Sequence, residues 1–498
     1  SHDYNAPAMT RSRLSLAALW MLCGLVVGCF GGARPEKPPG SALWVTRESG
    51  ELDAAAQSRL AGLGLREVYL EAAELDWNGG LRLRRIERPA LPRRTPTTLV
   101  ISGLWQPGDG PPDGLATRLL SELTALRTDA EQSGLAVIGF HFEVEPGDSA
   151  ASLGRSLGRL RTLLGKSYFV SARLGRKALG GTDAQAIADG VDYVVSMIYG
   201  QRPGEAEDPS AWDLEAVEER FRLLEALKRP YFTGVITLGT ASWRGRGGEA
   251  KGVTTALSLG ELIRARNLEL KPGFSLQGID RQVWEFVARG AARVGEWNLT
   301  PGDSIRIVRT ATPFLEEFRR RLGAWESPHR RGEVFFRLRR ESELLSLSVD
   351  NIAAVLAPDA AAPALELAVD RVSTSGQRWQ VRLKLANRSP ESTDLAFFDS
   401  NFVQLQVAGA TIGAVEPGEF QRIELLVDGE KGTMRAFRKA NTVRFYLPLL
   451  EEHREVASGA IELKLEQRTP ALTISANFLL ADGQTLAIEP REWQFEKP

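Results

Sequence analysis

The stretch AVIGFHFEVEPG, residues 136 to 147, carries His141, Glu143 and Glu145 at every second position between apolar residues. Side chains alternate faces along a β-strand, so these three point one way while Phe140, Phe142 and Val144 point the other. A Pro-Gly turn follows at once, which places Glu145 at the C-terminal end of the strand. The polar face needs a context, and the rest of the chain supplies it.

Working outward, this strand is one of eight. The others are SALWVTRE (41 to 48), REVYLEAAEL (66 to 75), TTLVISGL (97 to 104), YFVSARLG (168 to 175), DYVVSMIYG (192 to 200), YFTGVITLG (231 to 239) and GEVFFRLR (332 to 339). Between them lie stretches with leucines three and four apart that break at Gly or Pro, such as SAASLGRSLGRLRTLLGK, the signature of amphipathic helices. Eight strands alternating with helices over roughly 300 residues predict a TIM (β/α)8 barrel. The barrel is expected over 41–356, with an inserted hairpin at 273–308 where the rhythm breaks. From about 361 alternating runs such as WQVRLKLANRS and LTISANFLL take over. Seven short strands separated by turn residues predict an immunoglobulin-like β-sandwich over 361–498, joined to the barrel through PDAAAPA.

The N-terminal segment reads as an address. MTRSRLSLAALWMLCGLVVGC, from Met9 to Cys29, has two arginines, an apolar run too short for a comfortable membrane span, and small residues before a cysteine. It resembles a bacterial lipoprotein signal (9–28), with Cys29 as the lipidated residue of the mature chain. SHDYNAPA before Met9 reads as a tag or a misplaced start. Residues 29–40, rich in Pro and Gly, are expected to be a tether that contributes to neither core, so that a chain lacking residues 1 to 40 folds.

Composition narrows the functions. Lys+Arg 62 against Asp+Glu 63 gives a net charge of -1, and no run of five or six like charges occurs, so neither nucleic acid nor a polybasic membrane role is expected. The second cysteine, Cys23, falls inside the signal, and four histidines are too few for a His-rich zinc site. No metal and no cofactor are expected.

In a barrel of this kind the C-terminal ends of the strands build the site. Glu145 stands at such an end, and Glu143 supplies a like charge on the same face, the arrangement that keeps one carboxyl protonated for general-acid work. His141 lies deeper and is expected to bond Glu143. Arg173 on strand five is within reach of a neighbouring carboxylate. Glu71 after strand two, Trp105 after strand three, Gln201 after strand six and Trp243 after strand seven fall where sugar-binding loops sit.

IGFHFEVE resembles the Asp-Gly-x-Asp-x-Asp-x-Glu strand of family 18 glycoside hydrolases, the chitinase group, keeping Gly139 and Glu145. SMIYG resembles that family's Met-x-Tyr-Asp strand at Met197 and Tyr199. The resemblance implies Glu145 as general acid, with Glu143 and Tyr199 orienting the substrate acetamido group. Ile138, His141 and Gly200 depart from it. Taken whole, the chain is similar to an uncharacterised bacterial family of TIM-barrel lipoproteins, a domain of unknown function. Two readings stay open: a lipid-anchored envelope protein whose barrel binds or hydrolyses a glycan, and a non-catalytic envelope scaffold whose sandwich meets a protein partner.

Overall fold

The computed structural model describes residues 36–493 outside 50–51, 79, 107–111, 147–148, 176–178, 180, 198–213, 272–281, 311, 326, 341, 358–363, 390, 396–399, 431–438, 468–469 and 481–484. The signal, Cys29, Tyr199, Gln201 and, of the expected linker PDAAAPA, residues 358–363 lie outside the described residues. Eight parallel strands close on themselves: β1 (Ala42–Val45), β2 (Glu67–Asp76), β3 (Pro96–Leu104), β4 (Ala136–Glu145), β5 (Phe169–Arg173), β6 (Tyr193–Met197), β7 (Tyr231–Ile236) and β8 (Arg330–Phe336). β1 pairs with both β2 and β8, which leaves no open edge in the ring. The helices are α1 (Ala54–Gly62), α2 (Pro112–Gln132), α3 (Ala150–Leu164), α4 (Thr182–Gly190), α5 (Leu214–Ala226), α6 (Leu259–Arg264), α7 (Thr312–Ala324) and α8 (Val349–Leu356). All except α6 belong to the barrel. The chain is a TIM barrel followed by an all-β region, as the periodicities predict.

The alternation in β4 decides which side of the barrel each residue meets. Phe140 and Phe142 are buried in the outer layer with Leu119 and Leu123 of α2 and Leu153 and Leu157 of α3. His141 points inward, its ring centroid 5.2 Å from that of Trp44 and 5.3 Å from that of Tyr69. The helices meet closely where side chains are small. A Cβ on Gly154 would sit 2.1 Å from the Ala186 carbonyl oxygen, and one on Gly190 2.2 Å from that of Gly154. α3 and α4 therefore touch backbone to backbone.

Contrary to the tether expectation, Lys37 is part of the barrel. Its side chain is 4% exposed, its Nζ donates to Glu67 Oε2 at 2.9 Å, and it lies 4.7 Å from the Phe169 ring centroid. Thr98 Oγ1 donates to the same Glu67 oxygen. Glu67 is a carboxylate buried at the N-terminal end of the strands, and in that place it requires a cation. In the sequence, Pro and Gly neighbours mask this single anchoring residue.

The interruption between β7 and β8 is longer than the 273–308 hairpin. A five-stranded antiparallel sheet runs in the order Ala250–Thr254, Thr240–Arg244, Ser304–Arg309, Gln282–Ala288, Leu268–Leu270, with a further hairpin of Ala292–Val294 and Trp297–Leu299. Its first two strands, TASWR and AKGVT, are short and lie among glycines and charges that read as loop, because a sheet with one covered face needs only alternate apolar positions.

The C-terminal region is a sandwich of two five-stranded antiparallel sheets, whose inner faces share Leu367, Val381, Leu383, Val403, Phe445 and Phe478. Among the described residues it has ten strands where seven were expected. The extra ones are short, like Glu455–Ala457, or mostly exposed, like Thr485–Trp493, so their alternation is faint. The sandwich is not independent of the rest. Leu395 and Leu449 are buried with Ile305 of the inserted sheet, with Leu257 and with Leu262 of α6 beside it, and with Leu345, and Arg309 Nη1 donates to Ser392 Oγ at 2.9 Å.

Candidate functional site

The barrel interior is filled from the N-terminal end upward. Above the Lys37–Glu67 pair the Tyr69 hydroxyl donates to that of Tyr193 at 2.9 Å, and Trp44 stacks on Tyr69 at 5.3 Å. Burial raises both phenols above their ordinary value, so they stay neutral hydrogen-bonding groups. Phe232 and Phe336 extend this aromatic lining. Polar chemistry begins with His141.

His141 is completely buried. Its Nδ1 is 3.0 Å from Ser171 Oγ, and that hydroxyl donates to the Phe140 carbonyl at 3.4 Å. Nδ1 and the Ser171 hydroxyl share a hydrogen bond whose direction follows the imidazole tautomer. Burial pulls the imidazole below its ordinary value of 6.5, against the opposing pull of Glu143, so the ring is neutral. The expected His141–Glu143 bond is not made: Nε2 stands 3.9 Å from Glu143 Oε2. Serine, which sequence parity places on the inward face of β5, took the role instead.

Glu143 is 20% exposed and accepts a charge-assisted hydrogen bond from Arg173 Nη1. Burial pushes its carboxyl up, but His141 and Arg173 outweigh it and hold the group below the usual carboxylate range. Glu143 Oε2 and His141 Nε2 are both buried atoms with no hydrogen-bond partner among the described residues. The two atoms face each other at 3.9 Å, beyond direct hydrogen-bond distance.

The other candidate residues spread out. Glu145 is exposed, two residues further along the same face, and its backbone carbonyl accepts from Trp105 N at 2.9 Å. Met197, half-buried at the end of β6, packs on the inner aromatic cluster. Glu71 accepts from the Arg47 backbone at 3.1 Å. Trp105 is not a rim residue: it is 3% exposed and packs edge-on against Trp77 in the outer core. The apolar helix layer claimed it. Trp243 belongs to a cluster on the inserted sheet, where its Nε1 donates to Asp303 Oδ2 at 3.1 Å and the Lys251 ammonium lies 5.3 Å from its ring centroid. The site therefore joins His141, Glu143 and Arg173 with Ser171, Trp44, Tyr69 and Tyr193, which sequence reasoning missed. Strand parity was their only signal.

Comparison with protein-family models and with curated proteins finds no match. Among solved structures the chain is similar to a chitinase from Chromobacterium violaceum ATCC 12472, with 14% identity, TM-score 0.44 and coverage of 64% of this chain and 98% of that one. It is similar also to the Bacillus cereus spore cortex-lytic enzyme SleL, with 16% identity, TM-score 0.40 and coverage of 65% and 74%. The chitinase ChiB of Flavobacterium johnsoniae is a third, at 13% identity, TM-score 0.38 and coverage of 65% and 95%.

Proposed function

We propose that this chain is a lipid-anchored envelope protein whose barrel mouth binds a glycan without hydrolysing it. The carrying observation is the state of Glu143. A carboxylate held charged by His141 and Arg173 has no proton to give, so the exposed part of Glu143 serves as an acceptor at the barrel mouth. Sugar hydroxyls and acetamido N–H groups are donors that suit it. The exposed Glu145 adds a further acceptor on the same face. Envelope location rests on the Arg-flanked apolar run that ends at Cys29.

The test is a panel of soluble amino-sugar oligomers and peptidoglycan fragments, measured for affinity and for release of reducing ends. Wild type is expected to bind and to release nothing. Glu143→Gln should weaken binding about tenfold or more, the loss of one hydrogen bond to a charged acceptor. Glu145→Gln should weaken it only modestly. Product release by wild type that Glu145→Gln abolishes would replace this reading with hydrolysis. Palmitate labelling that Cys29→Ala removes would support the anchor.

A further inference from the structure

We propose that the N-terminal rim of the barrel, the end opposite Glu143, is a basic surface that docks on an anionic lipid bilayer. The sequence has no basic run, because its rim cations are scattered along the chain. The fold collects them. Arg66 precedes β2, Arg93 and Arg94 precede β3, Lys166 precedes β5 and Lys228 precedes β7, and all five are exposed. In a parallel barrel every such connection lies at the same end. Backbone hydrogen bonds tie these connections to one another: Arg66 N donates to the Ser41 carbonyl at 2.9 Å and Arg94 N to that of Gly134 at 2.7 Å.

Counter-charges at this end are fewer and mostly committed. Glu36 pairs with Arg331 at 2.6 Å, Asp189 with Arg229 at 2.7 Å, and Asp192 accepts from the Val170 backbone at 2.8 Å; Glu131 is exposed at the end of α2. Glu225, three residues before Lys228, accepts from the Tyr231 and Ser327 hydroxyls, and the five exposed cations outnumber the exposed Glu36, Glu131 and Asp189 at this rim.

The position of the N-terminal segment points to the occupant. Glu36 and Lys37 enter the barrel at this rim, and Gly40 N donates to the Arg331 carbonyl at 2.8 Å. The seven Cα-to-Cα steps from Cys29 to Glu36 reach at most about 25 Å when extended. A lipid on Cys29 would hold this face, and no other end of the barrel, against headgroups, with Glu143 directed away from the membrane. That orientation rests on lipid attachment at Cys29. The basic surface does not.

The experiment separates the two. The chain from residue 29 onward, carrying Cys29→Ser so that no lipid can be added, is mixed with phosphatidylglycerol–phosphatidylethanolamine vesicles and with phosphatidylcholine vesicles. Binding to the anionic vesicles alone, falling steeply between low and physiological salt, is expected. Arg93→Gln with Arg94→Gln should lower the partition coefficient about fivefold per charge. Arg382→Gln with Lys464→Gln, two exposed cations of the sandwich, should leave it unchanged. Equal binding to both vesicle types, no binding to either, or equal loss in both double variants overturns the proposal. Absence of palmitate on Cys29 of the full chain, with vesicle binding intact, overturns only the anchor.

Discussion

At the scale of single residues, Arg173 is the partner that decides the character of Glu143. Arg173→Met leaves a largely buried carboxylate without its cation and should cost about 1–3 kcal/mol of stability. Denaturant titration would measure it, and Glu143→Gln in the same chain should recover most of the loss. In Arg173→Met the Glu143 carboxyl should also titrate higher than in wild type, since burial then acts with one counter-charge fewer. The pH dependence follows from His141 and Glu143 together. Both have folded values below their ordinary ones, so in acid the unfolded chain binds protons that the folded chain refuses. Stability from His141 is present above 6.5 and is lost as pH falls through and below that value; that from Glu143 is lost further down, as pH falls below 4.5. Melting curves from pH 8 to 5 should show a declining midpoint, and His141→Gln should flatten the decline between 7 and 5.

At the scale of elements, the contact between α3 and α4 depends on missing side chains. Gly154→Ala drives a methyl to 2.1 Å from the Ala186 carbonyl oxygen and should destabilise by about 2–3 kcal/mol as the helices part. Gly158→Ala on the same helix meets only Gly190 Cα at 3.5 Å, an ordinary contact, and should stabilise by up to about 1 kcal/mol through helix propensity. Equal effects of the two substitutions, read from thermal or urea unfolding, would refute the close-packing account. The helix-period leucines were legible in the sequence because they repeat. The glycines were not, since nothing local distinguishes Gly154 from Gly158; only the position of the neighbouring helix does.

At the scale of the whole molecule, two dependencies cross the expected boundaries. A chain starting at residue 36 retains Lys37 and should be as stable as one starting at 29. A chain starting at 41 leaves Glu67 buried without its cation and should lose about 3–5 kcal/mol, regained in part by Glu67→Gln. Cleavage between 357 and 363 is likewise expected to leave barrel and sandwich associated on gel filtration until denaturant is added. Leu395 and Leu449 hold them to the core of the inserted sheet.

The sequence by itself determined the periodic part of this protein: eight strands and their helices, the inward set of β4, and the change to alternating strands beyond 361. Periodicity is a local property, set by the strand pleat and the helix turn, so a linear reading recovers it. Tertiary structure alone decided the partners. It gave Arg173 to Glu143 and Ser171 to His141, turned Trp105 into the helix layer, drew Lys37 into the barrel, and gathered scattered cations onto one rim. Each of these is a contact between residues distant in the chain, made because a buried charge, a lone pair or an apolar ring requires a neighbour that only closure of the barrel brings near.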